Sequence, residues 1–110
     1  MNFESRQQWI DVCAADELKP GEFRTVWADD IEIAVVNVGG EFYAIEDVCT
    51  HDGGELTGGT IEGNEIECPR HGARFDLRTG AVLAPPAYEN VPTYSVRVND
   101  GRIEVASEPD

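Results

Sequence analysis

Glycine and proline interrupt this chain at regular, short intervals, and this spacing is the feature that most limits its possible folds. The segments between the interruptions are rich in Val, Ile, Thr and aromatic residues, which favour strands. Gly39-Gly40 and Gly63-Asn64 supply residues that tolerate positive φ, as tight hairpins require. The pattern predicts an all-β, antiparallel fold in which residues 1–110 form a single domain.

The sequence predicts short strands joined by turns, with one short helical segment. That segment covers Ala14–Leu18 and ends at Pro20-Gly21. Cys13 ends an apolar strand and is predicted to be a core residue. Trp9, Trp27, Phe42 and Tyr43 alternate with polar residues, and they too are expected to pack inside. Strands are predicted at Trp9–Cys13, Phe23–Trp27, Ile31–Val38, Glu41–Ile45, Thr60–Ile61, Glu65–Glu67, Arg74–Leu77, Thr93–Val98 and Ile103–Ala106.

The composition excludes several classes of partner. Of 110 residues, 22 are Asp or Glu and 8 are Lys or Arg, so the formal net charge is -14. Nucleic acids and anionic membranes attract basic surfaces, so neither is expected to bind this chain. The longest strictly apolar run is Ile33–Val36, and no signal peptide is expected. The odd count of three cysteines fits a reducing cytoplasm better than a disulfide framework.

Two glycine-rich polar regions carry the chemical signal. They read Cys49-Thr50-His51 and Cys68-Pro69-Arg70-His71, and 16 residues separate His51 from Cys68. Each offers one thiolate and one imidazole, which are ligands for borderline-soft metals. A zinc site is one alternative, although zinc usually pairs Cys with Cys and His with His at short spacing. The other is a [2Fe-2S] cluster with two Cys on one iron and two His on the second.

The double motif, followed by Gly72, Phe75-Asp76 and Thr79-Gly80, resembles the Rieske-type ferredoxins of bacterial aromatic-ring dioxygenase systems over nearly the whole chain. The resemblance implies an antiparallel β-sandwich base with a small inserted cluster-binding subdomain at about residues 46–90. It also implies one Rieske [2Fe-2S] cluster. The cofactor-binding and metal-ligating residues would be Cys49, His51, Cys68 and His71.

The function implied by this resemblance is electron transfer, carried out by a cytoplasmic monomer. The protein would take single electrons from a flavin-dependent ferredoxin reductase and pass them to a terminal non-haem-iron oxygenase, with no catalytic residue of its own. Two alternatives remain open: a small subunit of an assimilatory nitrite reductase, or a ferredoxin linked to cluster assembly or redox stress. A quinol-oxidising subunit is disfavoured, because Gly54 and Arg70 stand where that family has a disulfide joining its two loops.

Several neighbours of the motif have roles to be weighed. Asp52 would be an exposed loop acid or, alternatively, would add negative potential beside a ligand, and Arg70 would contact a partner. By resemblance, a third loop containing Pro85-Pro86 would cover the cluster. Acidic residues around the first region would steer basic partners, or else form a solvated face or an adaptation to high salt. These are Glu46, Asp47, Asp52, Glu55, Glu62, Glu65 and Glu67.

Overall fold

The computed structural model describes residues 8–110, which form eleven strands and one short 3-10 helix at Ala15–Glu17. All paired strands among them run antiparallel, so the all-β prediction is confirmed. The strands are β1 (Trp9–Ala14), β2 (Phe23–Ala28), β3 (Ile31–Val38), β4 (Glu41–Glu46), β5 (Thr60–Glu62), β6 (Glu65–Glu67), β7 (Arg74–Asp76), β8 (Val82–Ala84), β9 (Thr93–Tyr94), β10 (Val96–Asn99) and β11 (Arg102–Ala106).

The strands form three sheets, with orders β1-β11-β10, β2-β3-β4-β9 and β5-β6-β7-β8. Strand β3 explains how they stack, because Ile33 and Val35 belong to one core and Ala34 and Val36 to the other. Side chains of a strand alternate between its two faces. The middle sheet is therefore covered on both faces, which accounts for the continuous apolar run in its sequence.

Tight turns set the register of the middle sheet. Gly39 and Gly40 have φ values of 61° and 98°, the geometry of a two-residue hairpin turn. They join β3 to β4, in which Val38 pairs with Glu41. The hairpin prediction at this position is confirmed, and the turn fixes where β4 ends and the first polar region begins.

The structure corrects the sequence prediction at two strand positions and at one tryptophan. The predicted strand Thr93–Val98 is two strands, because β9 pairs with β4 while β10 pairs with β11 in a different sheet. Strand β8 was not predicted, since it directly precedes Pro85-Pro86. Trp27 is 60% exposed and does not pack inside. Cys13 is buried, as predicted.

The third sheet positions the two polar regions. The first region lies between β4 and β5, and the second lies between β6 and β7. Both therefore emerge where the β5-β8 sheet meets the middle sheet, over one shared core. No helix in the stretch from residue 8 to residue 110 has the length and apolar character needed to cross a membrane.

Candidate metal centre

The two regions, called here loop 1 (residues 47–59) and loop 2 (residues 68–73), fold in the same way around their cysteines. The N–H of Cys49 donates to the Gly54 carbonyl at 2.7 Å, and the N–H of Cys68 donates to the Ala73 carbonyl at 2.7 Å. In each loop, the residue four positions after the cysteine donates back to the cysteine carbonyl, at 2.7 and 3.2 Å. The sequence therefore builds the same tight turn twice, with a cysteine at the start of each.

The cysteines form the inner side of the site. Cys49 is 0% exposed and Cys68 is 1% exposed, and both belong to the core under the loops. Their sulfur atoms and a carboxylate oxygen of Asp52 lie within 4.8 Å of one another. Burial raises the pKa of the Cys49 thiol, although the backbone N–H groups of His51 and Asp52 donate to its sulfur and oppose that effect. Two buried thiols this close together could bind a metal ion, which would displace their protons.

The histidines form the outer side. Their ring centroids are 5.1 Å apart, and the ring planes meet at 87°. Both residues are exposed, and the His71 side chain keeps 53% of its surface accessible. Ligating atoms of His51, His71 and Asp52 lie within 4.8 Å of one another. The site is thus layered, with sulfur donors in the core and imidazole donors at the surface.

The donor set fits a cluster better than a single closed zinc site. The two thiols and the two imidazoles form two groups at different depths, each of which includes Asp52. A [2Fe-2S] cluster with Cys on one iron and His on the other needs this division, whereas a single ion needs all four donors around one point. The residues that could hold the cluster are Cys49, His51, Cys68 and His71.

Arg70 and Asp52 occupy the space between the loops. Arg70 Nε donates to Asp52 Oδ2 at 2.6 Å, and Arg70 Nη2 donates to Asp52 Oδ1 at 3.1 Å. This hydrogen-bonded guanidinium holds the pKa of Asp52 well below its usual range. Sequence reasoning treated the two residues separately, because they lie 18 positions apart and no local pattern links them.

Several acidic residues near loop 1 are buried or paired with other groups, and are not simply exposed charges. Asp47 is 6% exposed, so it is a structural group and not part of a steering face. Its carboxylate accepts the N–H of Leu56 at 2.7 Å, the N–H of Thr57 at 2.9 Å and the Thr57 hydroxyl at 2.7 Å. It therefore closes loop 1 end to end. Glu65 and Glu67 both lie within salt-bridge distance of Arg74.

Comparison with known proteins decides the family. The sequence model of the Rieske [2Fe-2S] domain family matches residues 8–95. The chain belongs to the Rieske [2Fe-2S] domain family. The prediction of the cofactor type is thereby confirmed, and the zinc alternative loses its support.

Relatives of this Rieske protein are carriers in oxygenase systems. The chain is 38% identical over 99 residues to the ferredoxin component of the naphthalene 1,2-dioxygenase system of Pseudomonas aeruginosa, covering 90% of this chain and 95% of that protein. It also matches a chain in the complex of reduced oxygenase and oxidized ferredoxin of carbazole 1,9a-dioxygenase. That match has a TM-score of 0.89 and 40% identity, over 93% of this chain and 95% of that one. The predicted resemblance to dioxygenase ferredoxins is confirmed.

A second structural match bears on one of the alternatives. A chain described as an NADH-dependent nitrite reductase small subunit, from Mycobacterium tuberculosis, matches with a TM-score of 0.80 and 30% identity. The match covers 91% of this chain and 95% of that one. The same Rieske fold therefore also occurs in proteins assigned to a different system.

The loop with Pro85-Pro86, called here the third loop, lies against loop 1. The Thr50 hydroxyl donates to the Glu89 carbonyl at 2.7 Å, which fixes this third loop beside His51. Ala87 is buried in the same core as the cysteines. Its neighbour Tyr88 is 84% exposed, so the third loop presents an aromatic ring to solvent.

The carboxyl group of Glu32, on β3, makes stability depend on pH. Oxygens of Glu32, Asp47 and Glu55 lie within 4.8 Å of one another. Desolvation, the hydrogen bond with Glu55 and the charge of Asp47 raise the pKa of Glu32 from 4.5 to about 7. The folded state thus holds this proton more tightly than the unfolded chain does. The contribution of Glu32 to stability is present below its ordinary pKa and is lost as pH rises through about 7.

Glu32→Gln is expected to stabilise the protein near pH 8 by about 1 kcal/mol, a value reduced from the full shift because Glu32 is partly exposed. Near pH 4, below the ordinary pKa of Glu32, the gain should disappear, since the carboxyl is then mostly protonated in both the native and the unfolded state. Melting temperatures across this range measure the effect. Glu108→Gln removes the same charge at an exposed position and serves as the control. An equal gain at both pH values would contradict this interpretation.

Proposed function

We propose that the protein is a single-electron carrier whose [2Fe-2S] cluster is held by Cys49, His51, Cys68 and His71. When bound, the cluster supplies reversible one-electron chemistry. The cluster-binding subdomain would span about residues 46–90 of a single domain, residues 1–110. The protein would act as a monomer in the cytoplasm, and no residue of its own would act on an organic substrate.

The layering of the site supports this role. Cys49 and Cys68 are buried, so their side of the site is closed to solvent and to partners. His51 and His71 are exposed, so the shortest route for an electron between this chain and a docked partner passes the imidazoles. This single observation, an exposed histidine edge over a buried sulfur pair, carries the proposal.

The proposed partners are a flavin-dependent ferredoxin reductase and a terminal non-haem-iron oxygenase. The carbazole dioxygenase relative is described as a ferredoxin in complex with its oxygenase. In this chain, Tyr88 and the 47% exposed Leu83 lie on the third loop and its preceding strand. Exposed aromatic and aliphatic side chains are the groups that anchor a protein interface. Glu55 and Glu89 add exposed acidic groups nearby that would favour a basic partner surface.

The test is electron delivery in a reconstituted system of NADH, a ferredoxin reductase and a Rieske oxygenase. The wild-type protein should be reduced by the reductase and reoxidised by the oxygenase. Tyr88→Ala should raise the KM for this protein about fivefold, because truncating an interface anchor costs about 1 kcal/mol or more. The reduction potential should stay unchanged, since Tyr88 is not a ligand.

Trp27→Ala is the matched control for Tyr88→Ala. Trp27 is also an exposed aromatic residue, at 60%, but it lies on β2 of the middle sheet. Its truncation should leave electron delivery unchanged. Equal effects of the two variants would remove the third loop from the proposed interface. A protein that no reductase reduces would contradict the carrier role.

A nitrite reductase small subunit is the second candidate, favoured by the match at 30% identity. The dioxygenase ferredoxin chain matches at 40% identity, which makes the carrier role the better supported one. Co-purification from the native source separates them. A stable complex with a large sirohaem-containing subunit would favour the second candidate.

A further inference from the structure

The two ligand loops are joined by side-chain contacts and not by a covalent bond. Cys13, Cys49 and Cys68 are all free thiols, so no disulfide links the loops within residues 8–110. Arg70 lies between Cys68 and His71 in loop 2, and its guanidinium reaches across to loop 1. Arg70 is therefore a candidate for a side chain that holds one loop against the other.

The guanidinium makes three hydrogen bonds to loop 1. Two go to the carboxylate of Asp52, at 2.6 and 3.1 Å, and Nη2 also donates to the Glu55 carbonyl at 2.8 Å. The planar guanidinium matches a carboxylate with two parallel bonds, which fixes orientation as well as distance. A lysine has one charged nitrogen and cannot reproduce this geometry.

Loop 1 is shaped to receive this group. The Gly54 N–H donates to Asp52 Oδ1 at 2.9 Å, which turns the carboxylate towards loop 2. A Cβ added at Gly54 would lie 2.6 Å from the guanidinium carbon of Arg70. Only glycine leaves the space that the guanidinium fills. The Asp52 carboxylate and the open space over Gly54 thus form one binding site for the Arg70 guanidinium, called here the seat.

The seat is itself anchored. Asp47 binds the backbone of Leu56 and Thr57, directly after the Glu55 carbonyl that Arg70 contacts. Arg70 therefore attaches loop 2 to a segment of loop 1 that is already closed on itself.

We propose that Arg70, seated on Asp52, Gly54 and the Glu55 carbonyl, is a clamp that holds the two loops at the separation their four metal ligands require. Arg70 is then a positioning residue, a role that the sequence did not predict. This inference rests on the proposed ligand set. Its effect is on retention of the cluster, because the clamp opposes separation of the Cys49 loop from the Cys68 loop.

The experiment measures loss of iron from the loaded protein to an excess of a chelator, followed by bleaching of the visible absorbance. Arg70→Ala should lose iron about tenfold faster than wild type, and Asp52→Asn should behave similarly. The double variant should be no faster than the quicker single variant, since both remove one interaction. Arg70→Lys should recover less than half of the effect, and the EPR spectrum of reduced Arg70→Ala should be broadened by looser ligand geometry.

Arg102→Ala is the matched control. Arg102 makes two hydrogen bonds to the carboxylate of Asp11, at 2.9 and 2.7 Å. Both residues lie in the β1-β11-β10 sheet, which carries neither loop. Its loss should leave iron release unchanged. Iron release from Arg70→Ala at the wild-type rate, or additive effects in the double variant, would overturn the clamp. Wild-type protein without iron would instead overturn the proposed function. If Arg70→Ala assembles no cluster, iron release from Arg70→Lys is the deciding measurement. Release faster than from wild type supports the clamp, and release at the wild-type rate overturns it.

Discussion

Replacing Cys68 by serine is expected to lower the iron content from about two atoms per chain to nearly none, because the cluster needs both thiolates on one iron. Cys13→Ser should leave the iron content unchanged. The two cysteines are equally well buried, at 1% and 3% exposure, so burial alone cannot explain a difference. They belong to different cores, and only the core of Cys68 also contains Cys49.

Iron and acid-labile sulfide analysis measures this result, with EPR of the dithionite-reduced protein to identify the cluster. Cys68→Ser should also melt at a lower temperature than Cys13→Ser, since a bound cluster ties loop 1 to loop 2 and stabilises the folded state by mass action. Full iron content in Cys68→Ser would remove this residue from the ligand set. Loss of iron in Cys13→Ser would show that iron content depends on the core around Cys13 and does not identify the ligands.

The ligand candidates could be predicted from sequence because chemistry and spacing coincide in them. Both histidines and two of the three cysteines lie in the two polar regions, where packing gives little reason for a thiol. The strands could be predicted because alternation and turn residues are local signals. Gly39-Gly40 is an example, since a two-residue link with two positive φ values allows few other connections.

What sequence reasoning missed depends on distant contacts. Nothing near Arg70 shows that it binds Asp52, and nothing near Asp47 shows that its carboxylate holds the backbone of Leu56. Trp27 has the composition of a core residue, but β2 is an edge strand and leaves it exposed. The strand change at Ser95 is similarly invisible, because both halves have strand propensity and only tertiary pairing separates them.

These contacts also change the meaning of the acidic composition. The net charge of -14 suggested a broad steering surface around the site. Asp47 is buried, and Asp52 and Glu67 each face an arginine at 3.0 Å or less. Such pairing cancels much of the field close to the histidines. Salt should therefore slow electron transfer through the remaining exposed acids, such as Glu55 and Glu89, and not through the whole set.

His71→Cys is expected to lower the reduction potential of the cluster by about 100 mV or more. A thiolate in place of a neutral imidazole adds a negative charge to the cluster, so addition of an electron becomes less favourable. Rieske centres lie between about -150 and +300 mV, whereas all-cysteine plant-type ferredoxins lie near about -400 mV. One replacement moves the site part of the way between these classes. The exposed position of His71 leaves room for the smaller side chain without disturbing the core.

Potentiometric titration followed by EPR measures the change. Tyr88→Cys is the control, since it places a thiol on the exposed third loop without changing the ligand set, and its potential should equal that of wild type. His51→Cys makes the corresponding change at the other imidazole and provides a second measurement if His71→Cys assembles poorly. An unchanged or higher potential in a variant that retains its iron would exclude that histidine as a ligand, because a non-ligating residue at the exposed edge adds no charge to the cluster.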